Sequence, residues 1–347
     1  MSRYGSLLPN SGRRLRRFPH RKTGIEGNSS DRLFARSSSH IAHCASLLLV
    51  WNLVAPPAAI AQRGDVVSVL SYNVRGLSPL LTGEDPGRRA ATIGWLANKY
   101  DVVLFQEDFE YHGAIGSQMR QRTRVRGNGM GWDPRRVAVK VLLAPFGILL
   151  PHFWPPYGSG LTTYLRSERL LPDDHDRIPY DVCSNWLGGT ADCWASKGYL
   201  RVGARQANDA LIDVYNTHLE AGTTKGSREA RRKQLAILAK AIEERSAGRA
   251  VIVGGDFNLG FNRPGDREMM MDFRRDAGLD DSGAGPEQPL WRERDYILFR
   301  SSPQTALHVE AMGEAAEFVN DDLALSDHPA IYARFRVERR PNMEVAP

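Results

Sequence analysis

The sequence predicts a mixed α/β domain, on three observations. Short runs rich in β-branched residues recur from Gly64 onward, two longer stretches carry helical periodicity, and nearly every apolar run adjoins a group able to bind metal or move a proton. The runs are Val66 to Tyr72, Val102 to Phe105, Leu211 to Tyr215, Ala250 to Val253, Ile297 to Phe299 and Ile331 to Val337. One helix is expected over residues 87–99, with Ile93, Leu96 and Trp95 on its apolar side. A second is expected from Ser227, as N-cap, to Arg245, with Leu235, Leu238 and Ile242 inward and Arg228, Arg231, Arg232 and Lys233 as the solvated face. No internal repeat and no glycine-rich dinucleotide loop is present.

The chain of 347 residues is long enough for a sizeable core, and one large domain is expected. Its net charge of +6 suggests a polyanionic partner, but residues 1–61 hold nine Lys and Arg against two acids. The remainder carries 37 basic and 38 acidic residues, so the basic signal belongs to the leader. That leader has an export layout: a basic, Ser-rich stretch, an apolar run around Ser46 to Val54, Pro56 and Pro57, then small residues ending at Ala61. Cleavage after Ala61 is expected, followed by a domain over residues 62–340 and a tail at 341–347. The apolar run is shorter than the roughly 20 residues needed to span a bilayer. Cys183 and Cys193 suit a disulfide in an oxidising compartment, with two buried free thiols as the alternative.

Polar residues mark the strand ends. Asn73 ends the first run, Gln106-Glu107 the second, Asn216-Thr217-His218 the third, and Asp256-Phe257-Asn258 the fourth. Asp295 precedes the fifth run, and Ser326-Asp327-His328 the last. Any one of these is ordinarily a turn or cap residue, but six in order fit a single polar cleft where strand ends converge. Their chemistry suits phosphate ester hydrolysis, which needs charge neutralisation, a placed water and help for the leaving group. Glu107 and Asn73 offer hard oxygen ligands suited to Mg²⁺, or to Mn²⁺ or another divalent cation. Asp256 suits water positioning, Asn258 and His218 suit phosphate contacts, and Asp295 suits orientation of His328.

The blocks LSYNVRGL, DVVLFQE, NTHLE, GGDFN, RDYI and LSDHPAIYARF, in this order, resemble the endonuclease/exonuclease/phosphatase superfamily, which includes deoxyribonuclease-I-like nucleases, inositol phosphatases and sphingomyelinases. The resemblance runs from about Asp65 to Val337. It implies a four-layer α/β sandwich, two mixed β-sheets packed face to face with helices outside, and Mg²⁺ at the strand ends. It further implies that Glu107 and Asn73 hold the metal, that Asp327 lies beside the metal or water, and that His218 and Asn258 contact the phosphoryl group. Asp256 would activate or position water, and His328, held by Asp295, would be the catalytic histidine.

Two segments bear on the substrate. Asp192 to Leu200 resembles the neutral sphingomyelinase segment in which an Asp and a Lys five residues later flank a loop over the active site, here Asp192 and Lys197. The plainer reading is a surface loop with a solvated lysine. The segment 137–156, VAVKVLLAPFGILLPHFWPP, reads either as a membrane-docking hairpin or as a core-facing strand pair. A lipid-type phosphodiester at a membrane surface is therefore expected, with no stable protein partner. The alternative is a secreted nuclease, with Arg120, Arg122, Arg124 and Arg126 lining a phosphate groove, although the nearly neutral domain argues against it. A non-catalytic binding protein would be expected to lack Glu107, Asp256 or His328, and all three are present.

Overall fold

Strand β1, Asp65–Asn73, already contains the logic of the architecture. Val67 and Val69 face one hydrophobic core, while Leu70 and Tyr72 face another. Side chains alternate across a strand, so a strand apolar on both faces must be covered on both. The computed structural model describes residues 65–77, 86–120, 122–127, 158–184, 192–283, 293–320 and 323–340, together with Ala138 and Leu142. The chain divides into two compact units, Met1–Ile60 and Ala61–Pro347. The first unit lies wholly outside the described residues, as do the expected cleavage site, the tail and all of the apolar segment 137–156 except Ala138 and Leu142.

Two six-stranded sheets form the middle of the second unit. The first runs β11-β14-β1-β2-β4-β3, where β2 is Val102–Gln106, β3 Arg122–Arg126, β4 Thr162–Arg166, β11 Thr305–Glu314 and β14 Ile331–Arg339. The second runs β5-β6-β7-β8-β10-β9, where β5 is Leu170–Pro179, β6 Gly198–Gln206, β7 Leu211–His218, β8 Ala250–Gly260, β9 Asp280–Asp281 and β10 Glu293–Arg300. A separate two-stranded ribbon pairs β12, Val319–Asn320, with β13, Leu323–Ala324. Between the large sheets lies a core of Val67, Val69, Leu104, Val202, Val214, Ile252 and their neighbours. The outer face of the first sheet is covered by α1, Pro86–Leu96, and α2, His112–Gly116; that of the second by α3, Lys225–Arg245, and α4, Pro264–Ala277. The result is the expected four-layer α/β sandwich.

Among the described residues only two strand pairs are parallel, β1 with β2 and β7 with β8. A parallel pair needs a crossover rather than a hairpin. Here α1 supplies the first crossover and α3 the second, so the same topology that makes the pairs parallel also covers the outer faces.

The helices depart from expectation at three points. Trp95 is 61% exposed whereas Ile93 is buried, because two residues on a helix differ by about 200° and cannot share a face. Helix α3 begins before Ser227, since Thr224 is its N-cap and accepts from the Ser227 amide at 3.0 Å. Arg231 is not solvated: it is 1% exposed and donates to the carbonyls of Glu220 and Gly222, both at 2.8 Å.

Strand β8 carries Gly254 and Gly255 immediately before Asp256. Gly255 has φ of 155°, and a Cβ there would lie 2.0 Å from the Thr217 carbonyl of β7. The approach of the two backbones thus requires glycine. The variant Gly255→Ala is expected to lose about 2 kcal/mol or more of unfolding free energy, read from the urea midpoint. An unchanged midpoint would show that the strands separate freely.

Candidate functional site

Both parallel pairs end at the same place. Their registers set Asn73 beside Gln106 and His218 beside Asp256, and the antiparallel pairing of β8 with β10 sets Asp295 beside Asp256. The chain then leaves β2 through Glu107, whose φ of 55° turns it out of the strand, and the Gly76 amide donates to the Glu107 carbonyl at 2.7 Å. Beneath this layer two of the strand-end amides do something other than chemistry. Gln106 Nε2 donates to Asn216 Oδ1 at 2.8 Å, and Asn216 Nδ2 donates to the carbonyls of Phe105 and Thr162. Strand composition alone grouped these amides with the cleft, but both are fully buried and join one sheet to the other.

Asp256 stands at the centre. Asn73 Nδ2 donates to Asp256 Oδ2 and to Glu107 Oε1, each at 3.1 Å. His218 Nε2 lies 3.4 Å from Asp256 Oδ2 and 3.8 Å from Glu107 Oε1. On the other side, His328 Nε2 lies 3.6 Å from the same Asp256 oxygen, while its Nδ1 meets Asp295 Oδ2 at 2.7 Å. Among the described residues, two groups of candidate metal-binding atoms result, Glu107-His218-Asp256 and Asp256-Asp295-His328, sharing one carboxylate.

The electrostatics of the two sides differ. Burial raises the Glu107 carboxyl above its usual range, against the Asn73 hydrogen bond. Two carboxylates held by one amide, Asp256 buried and Glu107 partly buried, repel each other, and a divalent cation between hard oxygen donors would relieve that repulsion. The residues present therefore fit a hard cation such as Mg²⁺. Burial opposes the charged form of His328, yet the Asp295 hydrogen bond and the Asp295 and Asp256 charges win, and its pKa is pushed up to about 9. Burial lifts Asp295 to about 7 in spite of that partner. His218 goes the other way, held well below the usual histidine value by burial and then by the Lys197 charge.

Lys197 brings a positive charge to this group. It is 5% exposed, and its Nζ lies 2.8 Å from Asp192 Oδ1, 2.8 Å from the Leu219 carbonyl and 3.1 Å from His218 Nε2. An ammonium 3.1 Å from Nε2 disfavours the charged form of the ring. The solvated-loop alternative for Lys197 is thereby overturned. Asp192 also accepts from the Ala221 amide at 2.5 Å, and the next residue, Cys193, is disulfide-bonded to Cys183. Asn258, with φ of 52°, donates through Nδ2 to the same Leu219 carbonyl at 3.0 Å.

Residues 70–328 match the family model described as Endonuclease/Exonuclease/phosphatase family. The chain belongs to the Endonuclease/Exonuclease/phosphatase family. Among curated proteins it is 31% identical over 286 residues to a sphingomyelinase of Mycobacterium bovis, and equally to one of Mycobacterium tuberculosis. The match takes in 76% of this chain and 51% of the relative, so the chain spans about half the length of the curated relatives it matches. Two solved structures share the fold. A humanized D. rerio TDP2 aligns with a TM-score of 0.57 at 20% identity, over 78% of this chain and 98% of that one. A Staphylococcus aureus beta toxin variant with bound magnesium ions aligns with a TM-score of 0.54 at 17% identity, over 78% and 99%.

The family match encloses all nine expected site residues, and the structure brings Asn73, Glu107, Lys197, His218, Asp256, Asn258, Asp295 and His328 together. Asp327 departs from expectation. It belongs to neither group of candidate ligand atoms and lies 3.6 Å from Arg75 Nε, because the Ser326 hydroxyl, donating to the Asn73 carbonyl at 2.7 Å, fixes the turn. Asn73 departs in part: its Oδ1 accepts from the Arg75 amide at 3.0 Å, so it presents its NH₂ to the carboxylates rather than a ligand oxygen. Ser326, Gln106 and Asn216 were not readable as supports, since their partners are distant in sequence.

The Asp295 bond has a measurable signature in metal-free protein. A raised histidine pKa contributes stability that is fully present below the unfolded value near 6.5 and lost as pH rises through about 9. Asp295→Asn is expected to return His328 toward its ordinary titration in NMR, and to flatten the fall of the urea midpoint between pH 7 and 10. An unaltered His328 titration in that variant would show that Asp295 does not control the ring.

Proposed function

We propose that this chain is an exported, Mg²⁺-dependent phosphodiesterase acting on a sphingomyelin-type phospholipid. The observation that carries the choice of substrate is the buried Asp192–Lys197 pair, 2.8 Å apart and set against His218, in the segment that resembles neutral sphingomyelinases. The 31% identity to mycobacterial sphingomyelinases supports the same reading. The basic leader and the Cys183–Cys193 disulfide support export.

Glu107 and Asp256 would hold the cation, with His218 beside them. The bound cation supplies neutralising charge for the phosphoryl oxygens. Asp256, whose Oδ1 accepts from the Asn258 amide at 2.9 Å, positions the attacking water through its other oxygen and accepts its proton. His328 keeps its proton at neutral pH through Asp295, so it is poised to protonate a leaving oxygen or to steady the charge developing there. Lys197 contributes positive charge within a buried pocket, where it acts more strongly than on the surface. The arginines suggested for a nucleic-acid groove are partly spent on structure, since Arg122 donates to the carbonyls of Asp101 and Asn98.

Purified protein with Mg²⁺ is expected to hydrolyse sphingomyelin in vesicles, to stop on chelation, and to lose about 10³-fold or more in kcat on His328→Ala. Lys197→Met is expected to reduce turnover of the lipid by about 10²-fold. Prompt degradation of plasmid DNA without lipid turnover would overturn the substrate; activity surviving both chelator and His328→Ala would overturn the mechanism.

A further inference from the structure

The strands β8 and β10 pair in regular register up to Asp295 opposite Asp256, and again at Glu293 opposite Gly260. Between these points β8 spends three residues, Phe257, Asn258 and Leu259, against the single Arg294. Both sides of this irregularity are left-handed: Asn258 has φ of 52° and Arg294 has φ of 92°. A φ of 92° suits glycine and is costly for a residue with a Cβ, and bulges of this kind re-aim side chains beside active sites. Regular alternation would send residue 294 to the face of Tyr296 and Leu298, which pack beneath α3 and α4.

The guanidinium of Arg294 instead acts electrostatically on three site residues, His218, Asp295 and His328. It is only half-buried, and it makes no hydrogen bond or ion pair among the described residues. The other cations at the site are engaged. Lys197 is held by Asp192 and the Leu219 carbonyl, and Arg75 faces Asp327. Arg294 is thus a strained, unpaired cation directly across a bulge from the phosphate-contact candidate Asn258.

We propose that Arg294 is a catalytic residue of the phosphodiester reaction, its guanidinium binding a non-bridging oxygen of the phosphoryl group opposite Asn258. This rests on the hydrolytic reading of the site given above. A planar guanidinium with two parallel donors matches a phosphate edge, whereas an ammonium offers only a point charge. The backbone strain is the cost of presenting the side chain there, and glycine would remove both.

The full chain with Mg²⁺ is titrated with inorganic phosphate by calorimetry, for wild type, Arg294→Gly, Arg294→Ala and Arg294→Lys, alongside thermal unfolding and lipid turnover. Arg294→Gly is expected to weaken phosphate binding ten-fold or more and to lower kcat/KM for the diester about 10²-fold, while raising the thermal midpoint by a few degrees. Arg294→Lys is expected to recover part of the phosphate affinity. Unchanged phosphate affinity in the glycine variant overturns the assignment, as does wild-type protein that binds no phosphate. Hydrolysis that is equal in wild type and Arg294→Gly leaves the enzyme reading standing and defeats the role of Arg294. Phosphate binding lost with Arg294 in a protein that turns over no diester supports the anion site and defeats the enzyme reading.

Discussion

The hydrogen bond from Gln106 to Asn216, 2.8 Å across the seam between the two sheets, is the contact on which the site depends. Glu107 follows one of these residues and His218 lies two beyond the other, so the clasp sets how far apart the two halves of the cluster stand. An amide pair sealed between two sheets is strong because its alternative is an unsatisfied polar group in an apolar interior. The remaining supports repeat the theme. Ser326 reaches the Asn73 carbonyl, and Leu219 offers one carbonyl to both Lys197 and Asn258. Each ties a residue of one strand end to another far away in sequence.

Much of this was legible beforehand, and the reason is periodicity. Strands β1, β2, β7, β8, β10 and β14 are apolar on the faces they bury, and each was found, with ends short by up to four residues and, at β8, by the seven residues from Gly254 to Gly260, where glycines and polar site residues end the apolar run. Strands β3, β4, β5, β9 and β11 were not among the expected runs; all but β4 lie at sheet edges, where exposed residues such as Asp173, Asp174, His308 and Glu310 dilute the apolar signal. Helix α4 was missed despite Pro264 at its start, Gly278 in the left-handed region after its end, and Met269, Met270, Phe273 and Ala277 inward; its seven charged positions concealed a narrow stripe. Arg231 shows the opposite error, a charged residue assigned to solvent that is buried against two carbonyls.

The site was readable as a set of residues and unreadable as a geometry. Strand ends marked Asn73, Glu107, His218, Asp256, Asn258 and His328 correctly as neighbours, but sequence could not say that Asn73 turns its NH₂ toward Glu107 or that Asp327 turns toward Arg75. Those orientations follow from two local bonds, the Arg75 amide to Asn73 Oδ1 and the Ser326 hydroxyl to the Asn73 carbonyl. The bulge at Arg294 was likewise invisible, because positive φ at a non-glycine residue leaves no compositional mark.

Asp256 belongs to both groups of candidate ligand atoms, and one of its oxygens faces Asn73, His218 and His328 at once. Removing that carboxylate disturbs the glutamate side and the histidine side together. Its loss and the loss of either histidine should therefore fail to add, since the second change finds its partner already gone. The free energies assigned to these residues one at a time describe a single cooperative object, whose natural unit is the shared oxygen rather than the side chain.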